Sequence, residues 1–138
     1  MKILASQMTE PDAQLLAAAL QGETEIMREA LAAGASPDAR QPVTKEGWTA
    51  LTCAVLSGKD QAVRLLLEAG AEVNALCPDG ATALHKACLW GHVSIAALLL
   101  AHGADATIAD QEGWTAHQLA AAQGNQELLQ ILRAAGEP

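Results

Sequence analysis

Apolar positions in this chain recur in short bursts at helical spacing, and each burst is closed by a glycine. From Ala50 to Leu56 only Thr52 is polar, and Gly58 stops the run after about two helical turns. Thr49, just ahead of it, is placed to accept a hydrogen bond from the free amides of a helix start. After Gly58, the spacing of Ala62, Val63, Leu66 and Leu67 gives a second helix one apolar face. Gly70 supplies the left-handed conformation that ends a helix cheaply, and residues 71–75 lead out as an extended arm to the next glycine turn. The pattern predicts helix, turn, helix, arm. It returns with Thr82, Gly91, Ile95, Ala96, Leu99, Leu100 and Gly103.

The return has a fixed period of 33 residues, with regular units opening at Lys45, Pro78 and Gln111. Three glycine columns set the register: Gly47, Gly80, Gly113; Gly58, Gly91, Gly124; and Gly70, Gly103, Gly136. Such a period means stacked supersecondary units that share one elongated core, because helices this short are marginal alone in water. A degenerate unit precedes them. It keeps the helix-pair spacing through Leu15, Ala18, Gly22, Ile26, Met27, Leu31 and Gly34, but lacks the leading Gly-x-Thr turn. Gly34 to Gly47 is 13 residues against 10 for Gly70 to Gly80, so the loop around Gln41, Pro42 and Val43 is three residues longer than its counterparts. In the last unit His117 replaces Leu51 and Leu84, and Arg133 replaces Leu67 and Leu100, as the outward side of a terminal cap requires. Both ends read as caps of a complete four-unit protein.

The segments 80–87, 91–99 and 102–106, with 47–54 and 65–75, resemble the ankyrin repeat over about residues 11–136. The resemblance implies an all-α solenoid of four helix-turn-helix repeats whose first and last repeats cap the array. The expected organisation is one domain over 1–138, with repeats at about 10–43, 44–76, 77–109 and 110–138. The family's proline after the threonine is replaced by Ala50, Ala83 and Ala116, which removes a preset first-turn residue and leaves the cap. Fold of this kind says almost nothing about function by itself.

Composition sharpens the picture. Half of the residues are apolar, yet Phe and Tyr are absent, so Ala and Leu must build the core. The formal charge of −8 disfavours nucleic acid and anionic membranes and tolerates a basic protein partner. The amino-terminal apolar stretch is too short for a signal peptide, and no run approaches a membrane span. Three cysteines without paired spacing fit free thiols in a reducing compartment, so a cytoplasmic protein is expected.

Candidate chemistry is sparse. His85, Cys88 and His92 would share a helix face and raise the question of a metal site, but each has a structural explanation. Under the resemblance His85 is the turn-bracing histidine; Cys88 lies in a column of small core residues with Ala19, Val55 and Ala121, and Gly91 ends the helix before His92. A fourth zinc ligand is not evident. Cys77 lies in an arm where it could be exposed. No nucleophile-base pairing and no phosphate-binding glycine loop stands out. The expectation is therefore a non-catalytic protein with no cofactor and no metal.

The resemblance places a concave binding face on the turn residues and the exposed side of each first helix. Trp48 and Trp114 follow their turn glycine and Trp90 precedes the inter-helix glycine, all outside core columns. Trp is enriched among residues that dominate binding energy; the alternative is that Trp48 and Trp114 fold down onto adjacent turns. Leu20, Leu56 and Leu89 align two residues before their glycine, where the family usually exposes a polar side chain, and would form an apolar ladder. Glu46, Asp79 and Glu112 form an acidic margin before the turn glycine, and Lys45, Ser57 and Gln123 flank the strip. The expected function is to occlude one protein partner, the chain itself being monomeric when free. A bacterial immunity protein that neutralises a basic toxin is one form of this. The alternative is a regulatory adaptor resembling ankyrin-type kinase inhibitors; a third class is a redox- or metal-responsive protein using Cys77 or His85 with Cys88.

Overall fold

The computed structural model describes residues 9–42 and 47–135. Among them are eight helices in four antiparallel pairs: α1 (Glu10–Gln21) with α2 (Thr24–Ala32), α3 (Ala50–Ser57) with α4 (Asp60–Glu68), α5 (Ala83–Leu89) with α6 (Val93–Ala101), and α7 (Ala116–Ala122) with α8 (Gln126–Ala134). The first helices of successive pairs stack on one another, α1 on α3 on α5 on α7, and the second helices do the same. The result is an all-α solenoid of two helical layers.

Threonine starts each helix of the first layer. The hydroxyl oxygens of Thr49, Thr82 and Thr115 accept from the backbone N–H of Thr52, His85 and Gln118 at 3.0–3.2 Å. In α5 and α7 the bond is returned: His85 Nδ1 and Gln118 Oε1 each accept from the backbone N–H of the capping threonine. The degenerate first unit also has its cap, although its turn motif is missing. Thr9 Oγ1 accepts from Asp12 N–H, four residues further from its glycine than in the other units, and α1 gains one extra turn. At the other end of α3, Gly58 takes φ of 74°, the left-handed region that only glycine enters without strain.

The core is built from Leu15, Met27, Leu66, Leu99 and Leu132 packed among fully buried alanines such as Ala54, Ala62, Ala87 and Ala96. Small side chains let short helices approach closely without aromatic filler. In the last described helix pair the expected core columns are less covered. Ala19, Val55 and Cys88 are fully buried, whereas Ala121 in the same column is exposed. His117 is half-buried and Arg133 exposed, where Leu84 and Leu67 are buried.

Between pairs the chain forms hairpins whose main-chain closure is the same each time. The N–H groups of Gln41, Cys77 and Asp110 donate to the carbonyls of Trp48, Ala81 and Trp114, each at 2.8 Å. In the last two the partners are four residues apart and in the first seven, so the three extra residues lie inside that hairpin, beyond the antiparallel bridge of Arg40 and Thr49. Cys77, expected in an exposed arm, is buried: it closes its hairpin and places Sγ 3.6 Å from Thr52 Oγ1 in α3.

Hairpin is tied to hairpin. Gln111 N–H donates to the Asp79 carbonyl at 3.0 Å, and its side-chain amide donates to the Pro78 carbonyl at 2.8 Å. Arg40 Nη1 donates to the Leu76 carbonyl at 2.6 Å. On the opposite edge Asp38 Oδ1 accepts from Glu72 N–H at 2.7 Å, and Asn74 Oδ1 from Asp105 N–H at 2.8 Å. Gly80, at φ 81°, shows how close the hairpins come: a Cβ there would meet Gln111 N at 2.9 Å.

Removing residues 111–138 strips α7 and α8 from α5 and α6 and takes away the Trp114 carbonyl that His85 Nε2 binds at 2.8 Å. An unsatisfied buried polar group costs about 1–3 kcal/mol before any apolar exposure is counted. The chain 1–110 should therefore melt several degrees lower and less cooperatively than the whole chain, measured by circular dichroism. An unchanged melt would show that the repeats do not depend on their neighbours.

Candidate functional site

The first-helix layer is almost without charge. Apart from Glu10 and Asp12 in the opening turn of α1, the only charged residue in α1, α3, α5 and α7 is Lys86. Its ammonium bonds Asp79 Oδ2 at 3.2 Å, the one ion pair among the described residues, and its side chain is only 12 % exposed. Most of the remaining charge lies on α2, α4 and α8 and in the segments between helices, while α6 has none. The layer's exposed side chains are small, amide or apolar.

Leu20, Leu56 and Leu89 stand at the same point of α1, α3 and α5, each at or beside the last helical residue. Leu20 and Leu89 are exposed and Leu56 half-buried; Ala122 occupies the position in α7. Trp90 flanks the end of α5 and is 45 % exposed. Of five exposed large apolar residues among those described, Leu76 lies in an arm, and the other four (Leu20, Leu89, Trp90 and Trp114) lie on the first-helix layer and its turns.

The tryptophans differ. Trp48 is half-buried and packs against the core, so it does not stand outside the core as expected. Trp114, in the equivalent position two repeats on, is 40 % exposed. Its backbone is clamped on both sides. Its N–H donates to Asp110 Oδ1 at 2.9 Å, and its carbonyl accepts from Asp110 N–H and lies 2.8 Å from His85 Nε2. Since His85 Nδ1 accepts from Thr82 N–H, Nε2 is the protonated nitrogen and donates to Trp114.

The fold brings Asp79, Leu89, Glu112 and Trp114 together around one groove of about 360 Å³, which Asp110, Lys86 and Leu119 complete. Burial by itself would raise the Asp79 carboxyl. Hydrogen bonds from Ala81 N–H and Lys86, with the lysine charge, outweigh it and hold the group below the usual aspartate range. Asp110 was not singled out from the sequence, although an aspartate three residues before a turn glycine is an Asx-turn signal; its Oδ1 also accepts from Glu112 N–H at 2.9 Å. Trp114 and Glu112 line a second cavity of about 620 Å³ with Gln118, Ala121 and Ala122.

Other expected site residues are engaged locally. Ser57 Oγ donates to the Ala54 carbonyl at 2.6 Å and accepts from Lys59 N–H, closing the turn after α3. The Gln123 side-chain amide donates to the Leu89 carbonyl, linking two repeats at the exposed surface. Lys45 and Glu46 lie outside the described residues.

His85, Cys88 and His92 do not share a ligand geometry. Both His85 nitrogens are occupied, Cys88 is fully buried, and the His92 ring lies over Gly58 of the preceding repeat. Lys59 covers Gly22 and Asn125 covers Gly91 in the same way. All three thiols are free and buried. Burial pushes Cys88 up to about 12, and burial with the neighbouring Cys77 pushes Cys53 up to about 12, which disfavours the reactive thiolate.

A protein-family model described as ankyrin repeats (three copies) matches residues 2–77 and 70–137. No curated protein matches the chain.

The raised thiols carry a pH signature. Unfolded thiols ionise near pH 9 while Cys53 and Cys88 stay protonated to about 12. Their contribution to stability is therefore complete below pH 9 and is lost as pH rises toward 12. Denaturant melts should show stability falling between pH 9 and pH 11, and a Cys53→Ala, Cys88→Ala double variant should flatten that slope. Neither thiol should react with an alkylating reagent at pH 8 unless the protein is unfolded.

Proposed function

Because the chain belongs to the ankyrin-repeat family, whose stacked helix pairs serve as protein-interaction modules, we propose that it binds one protein partner across its first-helix layer and acts by occluding it. The observation that carries this reading is the concentration of exposed large apolar side chains on one layer. Leu20 and Leu89 at the ends of α1 and α5, Trp90 just after α5 and Trp114 in the hairpin before α7 are all exposed. An apolar strip on an uncharged background is what a protein partner covers. The lone ion pair and the locally bonded Asp79 leave little there to attract nucleic acid.

An inhibitory immunity protein directed at a basic toxin is the concrete form we favour. The net charge of −8 supports steering toward such a partner, and the uncharged strip supports an apolar contact once they meet. The chain works in the cytoplasm as a monomer under this reading.

Recovery of the partner from the native lysate, identified by mass, supplies the ligand for the test. Trp90→Ala and Trp114→Ala should each weaken binding roughly thirtyfold, the equivalent of about 2 kcal/mol, with the melting temperature unchanged. Trp48→Ala should lower the melting temperature as well, since its ring packs on the core. A partner that keeps its affinity when Leu20, Leu89, Trp90 and Trp114 are all changed to Ala, in a folded protein, would remove the strip from consideration.

A further inference from the structure

We propose that the groove between the second and third hairpins is a specificity pocket for a single arginine side chain of the protein partner. The inference rests on the reading that the first-helix layer binds a protein, and assigns one contact within it.

The chemistry comes from how the groove is walled. Leu89 and Leu119 give it apolar sides, and the Trp114 indole, 40 % exposed on a backbone clamped by Asp110 and His85, gives it an aromatic one. The backbone that carries the indole is held before binding, so only side-chain freedom remains to be lost when it is covered. The charges around this aromatic wall are unequal: three carboxylates, Asp79, Asp110 and Glu112, face one ammonium, Lys86, leaving two net negative charges. Two of the carboxylates already serve the fold. Asp79 is bound to Ala81 N–H and Lys86, and Asp110 accepts from Glu112 and Trp114 N–H. Among the described residues Glu112 enters no ion pair and its carboxylate accepts no hydrogen bond, so we assign the guanidinium to it.

An arginine satisfies all of these features together. Its aliphatic stem lies against leucine, its guanidinium stacks on an indole face, and its N–H fork meets a carboxylate. A lysine would match the charge without the planar stacking. The second cavity beside Trp114 has Glu112 as its one carboxylate, so the cation is drawn to the groove side. Elsewhere on the first helices the only carboxylates are Glu10 and Asp12, in the opening turn of α1 and away from any exposed indole of the third and fourth repeats, and the other exposed residues are apolar, small or amide. The pocket thus converts a general acidity into one fixed contact.

The probe is the peptide acetyl-Leu-Arg-Leu-amide, with its citrulline counterpart as the neutral control of nearly the same shape, titrated into the full chain while the three indole N–H signals are followed by NMR. The arginine peptide should shift the Trp114 indole saturably and leave Trp90 unmoved, with the citrulline peptide at least roughly fivefold weaker. Glu112→Gln should reduce the arginine peptide to the citrulline level, while the fold remains intact by its unchanged spectrum elsewhere. Equal affinity for the two peptides, no saturable shift, or shifts centred away from Trp114 would overturn the assignment. If the arginine peptide fails while the recovered partner still depends on Leu20 and Trp90, the pocket falls and the strip stands. If the peptide binds as expected while the partner ignores Leu20 and Trp90, the pocket stands and the strip falls.

Discussion

Helices of seven to twelve residues do not persist in water on their own, so each pair here must use its neighbour as its core. That single requirement orders the rest of the molecule. It explains why helices of the same layer stack along the array and why the hairpins between pairs are bonded to each other through Gln111 and Arg40. It also explains why polar groups near the layer boundary are satisfied by the next repeat. His85 is the clearest case: a buried ring in one repeat, completed by a carbonyl of the following one. Stability therefore resides in the junctions as much as in the pairs.

The stacking was legible in the sequence because its cause is periodic. Leu66 and Leu99 recur at the same phase, and glycine can be counted column by column. The caps at Thr49, Thr82 and Thr115 could be read for the same reason. What escaped were features that depend on a neighbour rather than on a pattern. Cys77 sits in what reads as an open arm, yet the hairpin folds its thiol against Thr52. Ala121 belongs to a core column by phase, yet none of the described helices covers it. Thr9 caps α1 from a position the repeat does not prescribe, because the extra turn moved the start of the helix.

The candidate site was legible in part, along the same divide. Leu20, Leu89, Trp90 and Trp114 could be picked out as large apolar residues at outward phases. Trp48 shares its phase with Trp114, yet it is half-buried against the core while Trp114 is exposed, a difference that phase alone does not give. The acidic residues were visible as a column, but their division of labour was not. Asp79 is engaged by Lys86 and Ala81 and Asp110 by the turn, whereas the Glu112 carboxylate has no partner among the described residues. Only side-chain geometry separates a carboxylate that builds a turn from one that faces a ligand.

The closure of the hairpins has a consequence for how such a protein can change over time. In all three, the residue after the turn glycine is held through its main-chain carbonyl, and its side chain takes no part in the closing bond. That position is Trp in two repeats and Ala in the third. Identity there is decoupled from closure, so a new side chain can be tried at the tip without reopening the hairpin. Recognition can drift from one partner to another in single steps while the scaffold below keeps its register.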